Sequence, residues 1–233
     1  MAGVYFQHAD EVWRDFPQLV PVALLAERIT GDPRPEEIIE RFEQRASARL
    51  ATTPAGQLPE IQAWRRVFTR MGLKPTQYRC ASESLLRRFA KEGSLPRIHP
   101  LVDLCNAVSL AYAVPVAAFD LAAVTDHLEV RYAVGDETYV TFGETAERPG
   151  AGEVIFADGA GYAHARRWSN RQSGRSAIRA GTGRALIVAE GLHPSAADDL
   201  ADLTSELADS LTKIWSIDPP TTVLSRTAPR FDF

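Results

Sequence analysis

The chain carries only two cysteines, Cys80 and Cys105, in 233 residues. Two thiols build no disulfide framework, and they lack the partners of a zinc site. No run of about 18 apolar residues occurs, which excludes a membrane-spanning helix. The opening stretch, MAGVYFQHADEVWRDF, has no basic segment followed by an apolar core, so it does not read as a signal peptide and the cytoplasm is the expected location. The glycine-rich phosphate loops G-x-G-x-x-G and G-x-x-x-x-G-K-[ST] are missing. So is the G-x-S-x-G elbow of a serine-triad hydrolase. Five histidines (8, 99, 127, 164 and 193) fall without H-x-x-x-H spacing, so neither a metal site nor a cofactor is expected.

What is present suffices for one large domain. Hydrophobic residues make up 45% and charged residues 24%, which allows a sizeable core under an ordinary surface. Helical periodicity dominates the first half. After an early strand at 19–29, where Pro21 suggests a sheet edge, come helices at 36–50, 59–72, 82–93 and 100–114. Pro59 and Gly72 bracket the second of these, with Ile61, Trp64, Phe68 and Met71 as its apolar stripe. Ser82 reads as the N-cap of the third.

After Pro115 the period becomes two. Segments 127–134 and 137–143 flank Gly135–Asp136, a two-residue hairpin signal, and 153–158 with 162–168 form a second hairpin. The continuous apolar run 185–191 reads as a strand covered on both faces. Residues 195–215 form an amphipathic helix with Leu200, Leu203, Leu207, Leu211 and Ile214 on one side. Helices, then strands, then one helix give an α+β fold, a mixed or antiparallel sheet with helices packed on it. Cys105 falls on an apolar stripe, which favours packing. Cys80 precedes a helix start, where a thiolate could form, but no histidine lies near it in sequence to activate it.

Charge is segregated. The net charge is −4, yet residues 64–97 hold nine Lys/Arg against two acids, and residues 159–189 hold six Arg against none. Arg65, Arg66 and Arg70 avoid the apolar stripe of their helix. Arg166, Arg167, Trp168, Asn170, Arg171, Gln172 and Ser173 mix guanidinium, indole and amide groups in the way that suits phosphate and base recognition. An exposed basic strand and turn is the bland alternative. Asp103 and Asn106 are three apart on a helix and share a face, with Ser109 extending the row. That row is either a solvated face or the lining of a cleft against the sheet. Glu190 ends an apolar strand, where a carboxylate either sits in solvent or points into a pocket.

Residues 102–143 resemble the editing, tRNA-binding domain of the bacterial phenylalanyl-tRNA synthetase beta subunit. The carriers are Asp103-x-x-Asn106 on a helix, the P-V-A-A-F-D turn at 115–120, Arg131 with Ala133, and Gly135 with Glu137. GRSAIRAGTGRALIVAEG at 174–191 is similar to the family's glycine turn, threonine and apolar strand ending in glutamate. Free-standing relatives of that domain share P-x-I-x-x-W-R-x-x-F-x-x-M-G-x-K-P-T and R-R-W-x-x-R-Q-S, here at 59–76 and 166–173. The resemblance covers about 58–192 and includes no synthetase catalytic module; 1–57 and 193–233 read as additions to a single domain.

The resemblance implies a trans-acting aminoacyl-tRNA deacylase with no metal and no covalent nucleophile. Asn106 and Glu190 would be catalytic, Asp103, Ala117 and Thr182 would line the substrate pocket, and Arg65, Arg66 and residues 166–173 would bind RNA. Ala117 stands where the family has an assisting histidine. The expected partner is tRNA or aminoacyl-tRNA, with neither DNA nor a membrane. A non-catalytic tRNA-binding or free amino-acid-binding module is the alternative.

Overall fold

The computed structural model describes residues 4–31 and 33–233. In chain order the elements are β1 (Tyr5–His8), α1 (Asp10–Asp15), β2 (Val20–Glu27), α2 (Glu36–Thr52), α3 (Pro59–Arg70), α4 (Ala81–Glu92) and α5 (Pro100–Tyr112). They continue with β3 (Val116–Asp120), β4 (His127–Tyr132), β5 (Thr138–Val140), β6 (Ala146–Glu147), β7 (Val154–Asp158) and β8 (Tyr162–Arg166). The last are β9 (Arg171–Gln172), β10 (Arg184–Gly191), α6 (Ala196–Trp215), β11 (Thr221–Val223) and β12 (Arg230–Asp232). The class is α+β. No helix among the described residues is long and apolar enough to cross a membrane.

Two sheets carry the architecture. The larger runs β12-β1-β4-β7-β8-β5-β6 with β9 on β8, and the smaller runs β11-β2-β10-β3. The two-residue period of β10 explains how they stack. Leu186 and Val188 join Phe6, Leu128, Val130 and Phe156 in a core between the sheets, whereas Ala185, Ile187 and Ala189 face α5 and α6 residues such as Val108, Leu203 and Leu207. The run 185–191 is therefore covered on both faces, as its unbroken apolarity requires. Glu190 has the parity of Leu186 and Val188, and that alone aims its carboxylate into the space between the sheets.

Local signals held where the partner was close in sequence. Pro59 opens α3, Gly72 (φ +75°) follows its end, and β7 and β8 pair antiparallel. Ser82 is not an N-cap: Cys80 holds that position and Ser82 is buried, its Oγ 3.4 Å from Cys80 Sγ. Nor is β2 an edge strand, since β10 and β11 flank it and the Pro21 carbonyl accepts from Leu224 N at 3.0 Å.

The Gly135–Asp136 hairpin does not form. Glu137 folds back to accept from the N–H groups of Val134 and Gly135, both at 3.0 Å, and from Arg131 at 2.5 Å. Ala133 meanwhile bonds Gly152 and Glu153, so β4 continues beside β7 and β5 moves to β8. Burial opposes ionisation of Glu137, but these donors outweigh it and hold its pKa below the ordinary carboxylate value.

Candidate functional site

Two adjoining hollows, sharing Val116 and Gln172 as a common wall, open where β3 passes between α5 and the larger sheet. The first, about 70 Å³, is lined by Ala117, Phe156, Trp168, Asn170 and Glu190 among others. The Glu190 carboxylate is buried and already hydrogen-bonded. Trp168 Nε1 donates to its two oxygens at 3.0 and 2.9 Å, and His8 Nε2 lies 2.7 Å from Oε1. A carboxylate at the end of an apolar strand needs such partners, because burying it unpaired is costly. Of the two alternatives for Glu190, the structure shows the carboxylate pointing into a hollow rather than solvent, with neutralising donors supplied by the chain itself. His8 comes from β1, 182 residues away in sequence, so no local pattern could have announced it.

The second hollow, about 120 Å³, is lined by Ile98, Val102, Cys105, Asn106, Phe142 and Ile178 among others. Asn106 is half-buried there, and its amide makes no hydrogen bond to the described residues. Its expected neighbours on the helix face go elsewhere. Asp103 accepts from Ile98 N at 2.9 Å and lines a separate cleft with Arg97 and His99, while buried Ser109 donates to the Val114 carbonyl at 2.6 Å. The row is neither a solvated face nor a continuous pocket lining, because the first turn of α5 and its C-terminal end bury its outer members. Thr182 also leaves the pocket. Its hydroxyl donates to Asp120 at 2.7 Å and accepts from Arg179 N, bracing the loop before β10.

The stretch 166–173 behaves unlike its composition. Arg166 is 7% exposed and locked between Glu153 (2.9 and 3.0 Å) and Glu147 (2.6 Å). Burial works against the charge of Glu153, yet the Arg166 guanidinium prevails and keeps its pKa low. Trp168 is fully buried rather than a stacking platform, with its ring centroid 4.9 Å from that of Phe16 and 5.2 Å from that of Trp64. Arg167 and Trp168 both have positive φ (47° and 56°), a strained turn held by Trp168 N bonding Val154 O at 2.7 Å. Asn170 donates to Arg79 O, Gln172 to Ala118 O and Ser173 to Val140 O. Arg171 is exposed and reaches Glu147 at 3.3 Å. Arg167 lies over the Tyr78 ring at 4.6 Å.

The family model of the B3/4 domain matches residues 63–219, about two thirds of the chain. The chain belongs to the B3/4 domain family. The "Phenylalanine--tRNA ligase beta subunit" of Coxiella burnetii is 40% identical over 61 residues, which is 26% of this chain and 8% of that protein. An N-terminal fragment of the phenylalanyl-tRNA synthetase beta subunit from Pyrococcus horikoshii aligns with 95% of this chain and 51% of its own length, at 9% identity and a TM-score of 0.49. The chain spans about half of that fragment and far less of the curated subunit.

Within the B3/4 domain, the other basic segment is also largely satisfied internally. Arg65 forks onto buried Glu83 at 3.0 and 2.5 Å, and Arg87 joins it at 2.8 Å; Arg66 is exposed and has no carboxylate partner among the described residues. Desolvation would raise Glu83, but Arg65 and Arg87 pull its pKa below the usual value. Cys80 and Cys105 are buried, and that burial pushes their thiols up to about 11 and about 12, so both serve packing. Glu60, His193 and Asp199 bring one potential ligand atom each within 4.8 Å of one another. They are, however, already bonded, Glu60 to Arg49 at 2.5 Å and His193 to Asp199 at 2.8 Å.

Proposed function

We propose that this B3/4 domain is a tRNA-binding aminoacyl-tRNA deacylase acting in trans on mischarged tRNA. The observation that carries the reading is the pair of joined hollows, one holding the Glu190 carboxylate and the other the unpartnered amide of Asn106. An aminoacyl ester is labile, so a site that fixes the ester and an attacking water supplies much of the rate by orientation alone. An amide is suited to such a site, since it can donate to the developing oxyanion while its carbonyl orients the water. Glu190, fixed from behind by Trp168 and His8, would present its charge to the aminoacyl group. The relative from Coxiella burnetii points to a tRNA substrate, and the exposed Arg175 and Arg179, on either side in sequence of the lining residues Ala177 and Ile178, would supply cations for its phosphates.

A deacylation screen over all aminoacylated tRNAs, correctly and incorrectly charged, tests the reading. Hydrolysis of at least one mischarged species above the spontaneous rate is expected; no acceleration of any species would overturn it. One observation favours the second reading, a non-catalytic tRNA or amino-acid binder. Ala117 stands where the resemblance places a histidine, and Glu190 already has two internal partners, Trp168 and His8. A free amino-acid binder would bind amino acids equally well with RNA removed.

A further inference from the structure

Phe142 and Ile98 are 70% and 66% exposed, two of four large hydrophobic side chains left bare among the described residues, and both edge the hollow that contains Asn106. Val134 and Val223, the other two, line neither hollow. The Phe142 backbone is pinned. Thr141 N bonds Thr145 O at 2.9 Å, Thr145 N returns to Thr141 Oγ1 at 3.1 Å, and Glu144 takes a positive φ of 62° to close the turn. Gly174 packs so tightly beneath that a Cβ there would stand 2.7 Å from Thr141 O and 2.9 Å from Phe142 Cα. An aromatic ring left exposed on a pinned turn adds little burial to the fold, but its fixed backbone presents a face for another ring.

Charge around the hollow agrees. Arg175 and Arg179 are exposed and meet no carboxylate within ion-pair distance among the described residues, and they flank Ala177 and Ile178 of the lining. The one nearby acid of the turn, Glu144, is also exposed. The Arg179 guanidinium bonds the Gly174 carbonyl at 3.1 Å and that of Arg175 lies over the Tyr162 ring at 3.6 Å, so both are held in place with no carboxylate among the described residues to offset their charge. An aromatic face beside them matches a nucleobase joined to phosphates.

We infer that Phe142 and Ile98 form the seat of the terminal adenine of the tRNA acceptor end, with Arg175 and Arg179 on the preceding phosphates. The inference rests on the deacylase reading for its placement. With the base on Phe142, the ribose and its ester lie beside Asn106 at the shared Val116–Gln172 wall, and the aminoacyl side chain extends toward Glu190. The seat itself needs no hydrolysis, which makes the two claims separable.

The test uses the trinucleotide CCA, titrated into the whole chain and followed by NMR, beside the deacylation screen. Phe142→Ala should weaken CCA binding about tenfold, the range expected for one lost base–aromatic stack, whereas Phe142→Tyr should retain it. Val134→Ala, an equally exposed control, should change nothing. Loss of CCA binding in Phe142→Ala alongside no deacylation by the parent chain upholds the seat and removes the hydrolase. Deacylation and CCA affinity both unchanged in Phe142→Ala overturn the seat and leave the hydrolase standing. Failure of the parent chain to bind CCA also overturns it.

Discussion

Residues 166–173 and 174–184 are neighbours in sequence, and each holds three arginines, but two are paired with carboxylates in the first stretch and one in the second. In the first, Arg166 is buried against Glu147 and Glu153, Arg171 shares Glu147, and the indole of Trp168 is spent on Glu190. In the second, Arg184 pairs with Glu27, but Arg175 and Arg179 stay exposed without a carboxylate among the described residues. The carboxylates that close the first stretch come from β6 and the loop before β7, which the sheet brings alongside β8. Density of positive charge along a chain therefore says little about surface potential, because the counter-charges arrive from elsewhere. The stretch with the more suggestive composition, RRWSNRQS, is a structural clamp. The plainer one, GRSAIRAGTGR, leaves two of its three cations without a carboxylate among the described residues, Arg179 on the Gly174 carbonyl and Arg175 over the Tyr162 ring.

The sharpest way to break this contrast is Trp168→Ala. It opens a cavity beside Phe16 and Trp64 and strips Glu190 of both indole contacts, so chemical denaturation should show a loss of about 3–5 kcal/mol. Arg175→Ala, by contrast, should stay within about 0.5 kcal/mol of the parent. Equal losses would erase the distinction.

Asn106→Ala probes the open side of the site. Turnover of a mischarged tRNA should fall about 100-fold, or about 3 kcal/mol in barrier, with the melting temperature almost unchanged because the amide bonds nothing in the fold. A large drop in melting temperature with activity per folded molecule intact would make Asn106 a structural residue.

Glu153→Gln weakens the clamp and should cost about 2 kcal/mol, the scale of a hydrogen bond to a charged group. The variant also alters the acid response. Folding depresses the Glu153 pKa below its ordinary 4.5, despite burial, through Arg166 and the Arg167 N–H. The unfolded chain therefore takes up this proton first, and the stabilisation is full above that value and lost as pH falls through the folded one. Stability of the parent should drop more steeply below the ordinary carboxylate range than that of Glu153→Gln; parallel curves would contradict the pairing.

The smallest expected effect sharpens the other half. If Arg175 and Arg179 each meet one phosphate, replacing both with Ala should flatten the plot of log affinity against log salt by about 1.4, at the single-strand coefficient, with stability nearly unaltered. Arg66→Ala, exposed on α3 away from the hollows' lining, serves as the comparison. A slope change as large for Arg66 would move the RNA path onto the helical face.

Much of the fold was legible in the sequence by itself. Pro59 and Gly72, the leucine stripe of α6, the β7–β8 hairpin and the two-sided apolarity of β10 are each local: a period, a cap or a tight turn set by a few adjacent residues. The resemblance also singled out Asn106, Ala117 and Glu190, and the structure sets all three in the walls of the two hollows. Tertiary structure alone decided the rest. It threaded β1, β11 and β12 into the sheets, sent β4 to β7 instead of across Gly135–Asp136, and set His8 against Glu190. It also chose which arginines to neutralise and left Phe142 bare. The physical reason is common to all of these. A helix or hairpin is specified by contacts within a few residues, whereas a buried charge, a strand pairing or a free cation is defined by groups tens to hundreds of residues away, and one-dimensional spacing carries no record of them.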